Sequence, residues 1–132
     1  MRGYVMTAAL ALATGYMASA LTAGGAAATS GESRGVEAFN NNCRTCHSWK
    51  KGDNRLGPNL HGIIGRKAGA AAGFTYSPSL ENSNITWDEH TLDKFIANPE
   101  SIAPGNNMKP FTGIADASTR EEIIEFLKSN PN

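Results

Sequence analysis

The sequence predicts an all-α domain built from short helices and long loops. Three observations predict it. Val36, Phe39 and Cys43 share one helical face. Two capping patterns, Thr86-Trp87-Asp88-Glu89 and Ser118-Thr119-Arg120-Glu121, each precede an apolar stripe. Between the first helix and the first of those patterns, Ser48 to Thr86 shows no alternation that would read as a strand.

The elements follow in order. A first helix is expected from about Gly31 to Asn42. The segment from Ser48 to Thr86 is rich in Gly, Asn, Ser and Pro. A loop of that length is uncommon in a compact domain, unless it wraps something bulky. The Thr86 pattern opens a second helix with Leu92, Phe95 and Ile96 on its apolar face, and Asn98-Pro99 stops it. Another loop runs from Pro99 to Ala117. The Ser118 pattern opens a last helix, with Ile123, Ile124, Phe126 and Leu127 as its buried face. No internal repeat is visible.

Ahead of this domain, residues 2 to about 28 read as a secretory signal. Arg2 is the single charge of the leader, and Val5 to Met17 is an Ala/Leu-rich stretch interrupted by Thr7, Thr14 and Gly15. That stretch is short and weak for a membrane span. Ala18-Ser19-Ala20 and Ala26-Ala27-Ala28 both fit the small-residue cleavage pattern, giving cleavage after Ala28 or after Ala20. An uncleaved anchor is the alternative. The domain is then 29–132, small for a self-sufficient core, and a large apolar cofactor would help fill it.

Composition narrows the function. The chain has 132 residues, with 12 Lys plus Arg against 12 Asp plus Glu. The absence of a basic excess argues against a nucleic-acid binder working by phosphate neutralisation. Two cysteines are too few for a disulfide-stapled scaffold. The charges are unevenly spread. Arg44 to Lys67 holds six basic residues against one acidic, and Glu81 to Glu125 holds nine acidic against three basic. The first segment could steer the protein toward acidic partners; a solvated mixed-charge surface is the plainer reading.

The chemistry sits in Cys43-Arg44-Thr45-Cys46-His47. C-x-x-C-H is the established signature of covalent c-type haem attachment. Residues three apart on a helical turn share a face, so both thiols can add to the two vinyl groups of one porphyrin. The imidazole of the next residue can reach the iron, for which it is a good ligand. Three other readings stand beside it. A thiol–disulfide pair would want a thioredoxin-like βαβ setting, which is absent. A zinc site would need a second ligand pair, and only His61 and His90 remain. A plain disulfide would leave the rest of the pattern unexplained. Met108 is the one methionine outside the leader, and it lies in the turn-rich loop Pro104-Gly105-Asn106-Asn107-Met108. With no helical face to pack there, it reads as the second axial ligand, Met/His ligation being the cytochrome c pattern.

From about Gly35 to Leu127 the chain resembles the class I cytochrome c family, the small soluble monohaem type. The resemblance rests on Gly35, Phe39 and the C-x-x-C-H pattern. It continues through Gly57-Pro58-Asn59-Leu60-His61-Gly62, Gly65-Arg66-Lys67 and Gly73-Phe74-Thr75-Tyr76. Trp87, Asn98-Pro99, Pro104-Gly105 and Met108 follow in order. It implies short helices and long loops wrapped around one covalent haem c. The haem would be attached at Cys43 and Cys46, with His47 and Met108 as axial ligands. Pro58 would offer its carbonyl to the far nitrogen of His47. Arg66, Tyr76 and Trp87 would serve a buried haem propionate, and Asn106, where the family often has threonine, could substitute as a donor to it. Gly35, Phe39, Ile123 and Phe126 would pack the first helix on the last.

Some positions depart from the family. Leu80 and Phe95 stand where polar side chains are common. Lys109-Pro110-Phe111 places the phenylalanine one residue late, which puts its packing role in question, and Lys109 offers an amine that could replace Met108 at high pH. The resemblance implies a soluble, monomeric, periplasmic electron carrier and not an enzyme. Its partners would be transient redox proteins, with no nucleic acid and no small-molecule substrate. The alternative is a haem peroxidase or gas sensor, should Met108 not be a stable ligand.

Overall fold

The structure is a computed structural model that describes Gly3 and residues 25–130. Apart from Gly3 and residues 25–28, the expected leader lies outside the described residues. Five helices occur among them: α1 (Gly25–Asn42), α2 (Pro78–Glu81), α3 (Glu89–Ala97), α4 (Pro99–Ile102) and α5 (Ala117–Ser129). The only β feature among the described residues is an isolated antiparallel bridge between Lys67 and Thr86. None of these helices is long and apolar enough to cross a membrane.

The long helices α1 and α5 pack on each other because one residue has no side chain. A Cβ on Gly35 would lie 2.9 Å from the Glu122 carbonyl oxygen and 2.9 Å from Cβ of Phe126. With hydrogen there instead, α1 closes on α5. Phe39, fully buried, then stacks 5.3 Å from Phe126 and meets Trp49 edge-on at 5.3 Å. Burying one such ring contributes about 1.5–3 kcal/mol. Helix α1 starts earlier than Gly31 and takes in the second alanine triplet.

The other helices show where local pattern and context disagree. Helix α3 is capped by Asp88, whose carboxylate accepts the Thr91 N–H at 2.7 Å while the Thr91 hydroxyl accepts the Asp88 N–H at 2.9 Å. Thr86 is the expected cap, but Trp87, which would then be the first helical residue, has its N–H and its carbonyl engaged by Arg66 and Gly65. Gly65 N–H to the Trp87 carbonyl (2.7 Å), Trp87 N–H to the Arg66 carbonyl (2.9 Å) and Ala68 N–H to the Ile85 carbonyl (2.8 Å) hold the chain extended there. The last helix is likewise capped earlier than its pattern suggests, by Asp116 instead of Ser118. Its carboxylate takes the Thr119 N–H at 2.7 Å and the hydroxyl at 2.6 Å.

Asn98 ends α3 as expected and then caps α4, accepting the Ser101 N–H. The loops therefore contain two short helices, α2 and α4, each opened by a proline. Arg120 ties the halves together. It donates to Asp93 of α3 at 2.6 Å and to the carbonyls of Ile114 and Ala115 at 2.9 Å each. The predicted apolar faces of α3 and α5 are all buried. They form the floor on which the long loops close.

Candidate functional site

The Cys43–His47 segment continues α1 as a further helical turn. The Cys43 N–H bonds the Phe39 carbonyl at 2.8 Å, and the His47 N–H bonds the Cys43 carbonyl at 2.9 Å. Both cysteines are free thiols, half-buried, on the wall of one cavity of about 520 Å³. Burial, with the neighbouring Cys46 adding to it, pushes the Cys43 thiol up to about 12. A thiol poised for disulfide exchange is lowered, not raised, so the redox-pair reading gains no support.

His47 is buried, at 7% exposure, and its ring is fixed on two sides. Nδ1 donates to the Pro58 carbonyl at 2.7 Å. That bond leaves Nε2 as the lone-pair nitrogen of a neutral imidazole. Burial lowers the His47 pKa, and the bond to Pro58 opposes this. The backbone of Gly57 lies flat against the ring. A Cβ at Gly57 would sit against Cε1 of His47 and 2.8 and 2.9 Å from its two nitrogens. The turn is held by the Gly57 N–H bond to the Cys46 carbonyl at 2.7 Å. In the sequence Gly57 is only part of the Gly57–Gly62 run that carries the family resemblance; the imidazole packing gives the glycine its specific reason.

Met108 lines the same cavity, half-buried, from the loop after α4. The walls between are mostly apolar: Leu60 and Ile63 from the long loop, Phe95 and Ile96 from α3, Ile123 and Leu127 from α5. Leu80 on α2 and Phe111 also line it, so the displaced phenylalanine does pack here. Phe95 lies 5.0 Å from Trp87. Leu56 stands on the wall beside Gly57 and is 79% exposed.

Arg66, Tyr76 and Trp87 reach the cavity as expected. Arg66 donates to the carbonyls of His61 (2.8 Å) and Asn59 (2.7 Å), and burial lowers its pKa. The Tyr76 oxygen accepts the Ala71 N–H at 3.2 Å, which leaves its own hydrogen to donate. Asn106 is not on the cavity wall, although its neighbour Asn107 is. Its amide donates to Glu100 (3.1 Å) and to the Ala103 carbonyl (3.0 Å). Its oxygen instead accepts the Met108 N–H at 3.0 Å.

Two further residues have no signal in the sequence. Ser77, 2% exposed, lines the cavity, and its hydroxyl pairs with that of Ser79 at 3.0 Å. Glu100 accepts the Gly105 N–H at 2.8 Å, and chiefly that bond holds its carboxyl below the usual range. His90 is exposed and His61 half-buried, both away from the cavity. Among the described residues no three His, Cys, Asp or Glu side chains gather to hold a metal ion, which leaves the zinc reading without support.

The donor set therefore fits one group. A thioether and a neutral imidazole share a deep apolar cavity with two thiols, and a guanidinium and a phenol lie on its wall. These are the parts that hold an iron porphyrin with its vinyl and carboxylate substituents.

Comparison with known proteins agrees. A family model described as cytochrome c oxidase, cbb3-type, subunit III matches residues 31–127. Cytochrome c2 iso-2 of Magnetospirillum fulvum is 45% identical over 87 residues, 66% of this chain and 90% of that protein. Cytochrome c of Chlamydomonas reinhardtii is 41% identical over 96 residues, 72% of this chain and 85% of that one. The chain belongs to the class I cytochrome c family. Among solved structures, cytochrome cH from Methylobacterium extorquens superposes with a TM-score of 0.68 at 38% identity, covering 74% of this chain and 97% of that one. This cytochrome c carries covalently bound haem c and is an electron-transfer protein.

Proposed function

We propose that this cytochrome c is a soluble periplasmic electron carrier whose haem is attached at Cys43 and Cys46 and ligated by His47 and Met108. The observation that carries the reading is that the imidazole and the thioether line one apolar cavity, with both thiols on the same wall. Residues 1–28 are the export signal in this reading, and 29–132 the working domain. Bound haem supplies a one-electron ferric–ferrous couple.

The chain's own residues tune that couple. Pro58 holds the His47 ring and raises its basicity as a ligand. The walls of Leu60, Ile63, Phe95 and Ile96 exclude water and disfavour the extra ferric charge. Arg66 and Tyr76 offer donors to a haem carboxylate on the cavity wall. His47 and Met108 would hold the group from within the cavity and leave no place for a substrate. Exposed Leu56, on the same wall as Cys43 and Cys46, would mark the side from which a partner exchanges electrons. The basic segment from Arg44 to Lys67 flanks that side and suits a transient partner with an acidic surface. A reductase or dehydrogenase would load the carrier, and an oxidase or reaction centre would unload it.

The test is an absorption spectrum of the periplasmically expressed protein, oxidised and then reduced. Low-spin bands and the weak long-wavelength sulfur-to-iron band of the ferric form are expected, the latter lost in Met108→Ala. High-spin bands, or ready binding of carbon monoxide by the reduced wild type, would replace this reading with a peroxidase or gas sensor.

A further inference from the structure

We infer that Glu100 is the positioning residue for Met108: its carboxylate binds the Met108 loop on both sides of the methionine and keeps the thioether facing the cavity. The inference rests on the reading of Met108 as an axial ligand.

Residues 103 to 110 form no helix or strand. Met108 is only half-buried and lies between exposed neighbours, Asn107 and Lys109. Packing alone therefore holds it weakly, and hydrogen bonds must define its place. They converge on one carboxylate. Oε1 of Glu100 accepts the Gly105 N–H at 2.8 Å. Oε2 accepts from Asn106 Nδ2 at 3.1 Å and from Lys109 Nζ at 3.0 Å. Gly105 and Asn106 precede Met108, and Lys109 follows it.

The Asn106 amide, 4% exposed, carries the grip inward. Its Nδ2 also donates to the Ala103 carbonyl at 3.0 Å, so its oxygen is turned to accept the Met108 N–H at 3.0 Å. Glu100 thus fixes Asn106, and Asn106 fixes the Met108 backbone. The other end of the lever is rigid. Glu100 follows buried Pro99, and Asn98 joins α4 to α3, whose Phe95 and Ile96 wall the cavity.

The chemistry selects a carboxylate. Three donors from three residues need an all-acceptor group with two oxygens. A glutamine keeps one acceptor and turns an NH₂ toward donors. An alanine removes the anchor and leaves the amide of Asn106 to find new partners.

The experiment uses the haem-loaded ferric protein. Imidazole, added as an external ligand, competes with Met108 for iron, so its affinity reports how firmly the loop presents the thioether. Glu100→Ala should bind imidazole about tenfold more tightly than the wild type, the scale of one charge-assisted hydrogen bond. The Gly105 amide should also exchange faster with solvent. Glu100→Gln should fall between. Glu89→Gln, which removes an exposed ion pair with Lys128, should leave imidazole affinity unchanged.

Unchanged affinity in Glu100→Ala, with the sulfur-to-iron band intact in the wild type, overturns the inference. So does an equal gain in Glu89→Gln, which would mark a general charge effect. If the wild type lacks the sulfur-to-iron band, the Met108 reading itself fails, and that result is read before any Glu100 variant is made.

Discussion

Gly57→Ala tests how the imidazole is held. A methyl on this backbone would meet the His47 ring at Cε1 and at 2.8 and 2.9 Å from the nitrogens. Ordinary contact between such atoms is about 3.5–4.0 Å. The ring or the turn must therefore move by roughly 1 Å. The turn is anchored by the Gly57 N–H bond to the Cys46 carbonyl, so the ring is the softer partner. A shift of that size lengthens the 2.7 Å bond from Nδ1 to the Pro58 carbonyl beyond bonding distance. Overpacking costs about 1–3 kcal/mol, and the lost hydrogen bond about 1 kcal/mol more. The variant should be roughly 2–4 kcal/mol less stable in guanidinium unfolding of the haem-loaded protein. Its ferric spectrum should show a weakened low-spin signature, because the ligand ring is turned. The control is Gly31→Ala in α1, where nothing lies within 4 Å of the new methyl. That change should be neutral or slightly stabilising. A Gly57→Ala protein with wild-type stability and spectrum would refute the claim that this glycine exists for the imidazole.

Three further outcomes follow from the structure. Gly35→Ala forces α1 and α5 apart at the Glu122 carbonyl and the Phe126 Cβ, neither of which can swing away, and should cost about 1–3 kcal/mol in the same unfolding assay. Arg66→Ala removes two bonds to the carbonyls of His61 and Asn59 and a positive charge from the cavity wall. It should cost about 1.5–3 kcal/mol and lower the reduction potential measured by voltammetry, since a nearby cation favours the ferrous form. The helix caps set an acid limit. Asp88 is held below its ordinary value near 3.8 chiefly by the Thr91 N–H, and Asp116 chiefly by the Thr119 hydroxyl. Groups lowered on folding stabilise fully above the unfolded value, and the contribution is lost as pH falls through the folded value. Asp88→Asn with Asp116→Asn should therefore narrow the gap between unfolding midpoints at pH 6 and pH 3; an unchanged gap would place the acid sensitivity elsewhere.

What the sequence made legible was whatever depends on spacing along the chain. The C-x-x-C-H turn and the apolar faces of α3 and α5 are local periodicities, and they sit where they were expected. Boundaries failed where a distant segment decided them. Thr86 has the right pattern for a cap, but pairing with the Gly65–Ala68 segment keeps Trp87 after it extended, and no window around Thr86 contains that fact. The short helices α2 and α4 carried a usable sign, Ser77-Pro78 and Asn98-Pro99, with proline at the first helical position, although only Asn98 caps with its side chain. Asn98-Pro99 is taken only as a stop, and Ser77-Pro78 is given no reading. Asn106 was assigned by analogy of position, and the structure spends its amide on Glu100 and Ala103. Glu100 itself has the sequence signature of a solvated surface charge. Its role appears only when the turn after α4 brings Gly105, Asn106 and Lys109 back to it.

The cavity explains why so small a chain needs such long loops. Left without a prosthetic group, a mostly apolar space of about 520 Å³ would leave its walls without packing partners. Phe95, Ile96, Ile123 and Leu127 belong at once to the buried core and to the cavity wall. The side chains that hold the helices together are thus the ones that would contact the prosthetic group in the proposed reading. Haem would then be the largest member of the core, and attachment at Cys43 and Cys46 would keep it there. Fold stability and redox tuning then draw on the same contacts. A change such as Gly57→Ala or Arg66→Ala should move both, whereas Gly35→Ala, at the α1–α5 contact away from the cavity, should lower stability and leave the potential where it was.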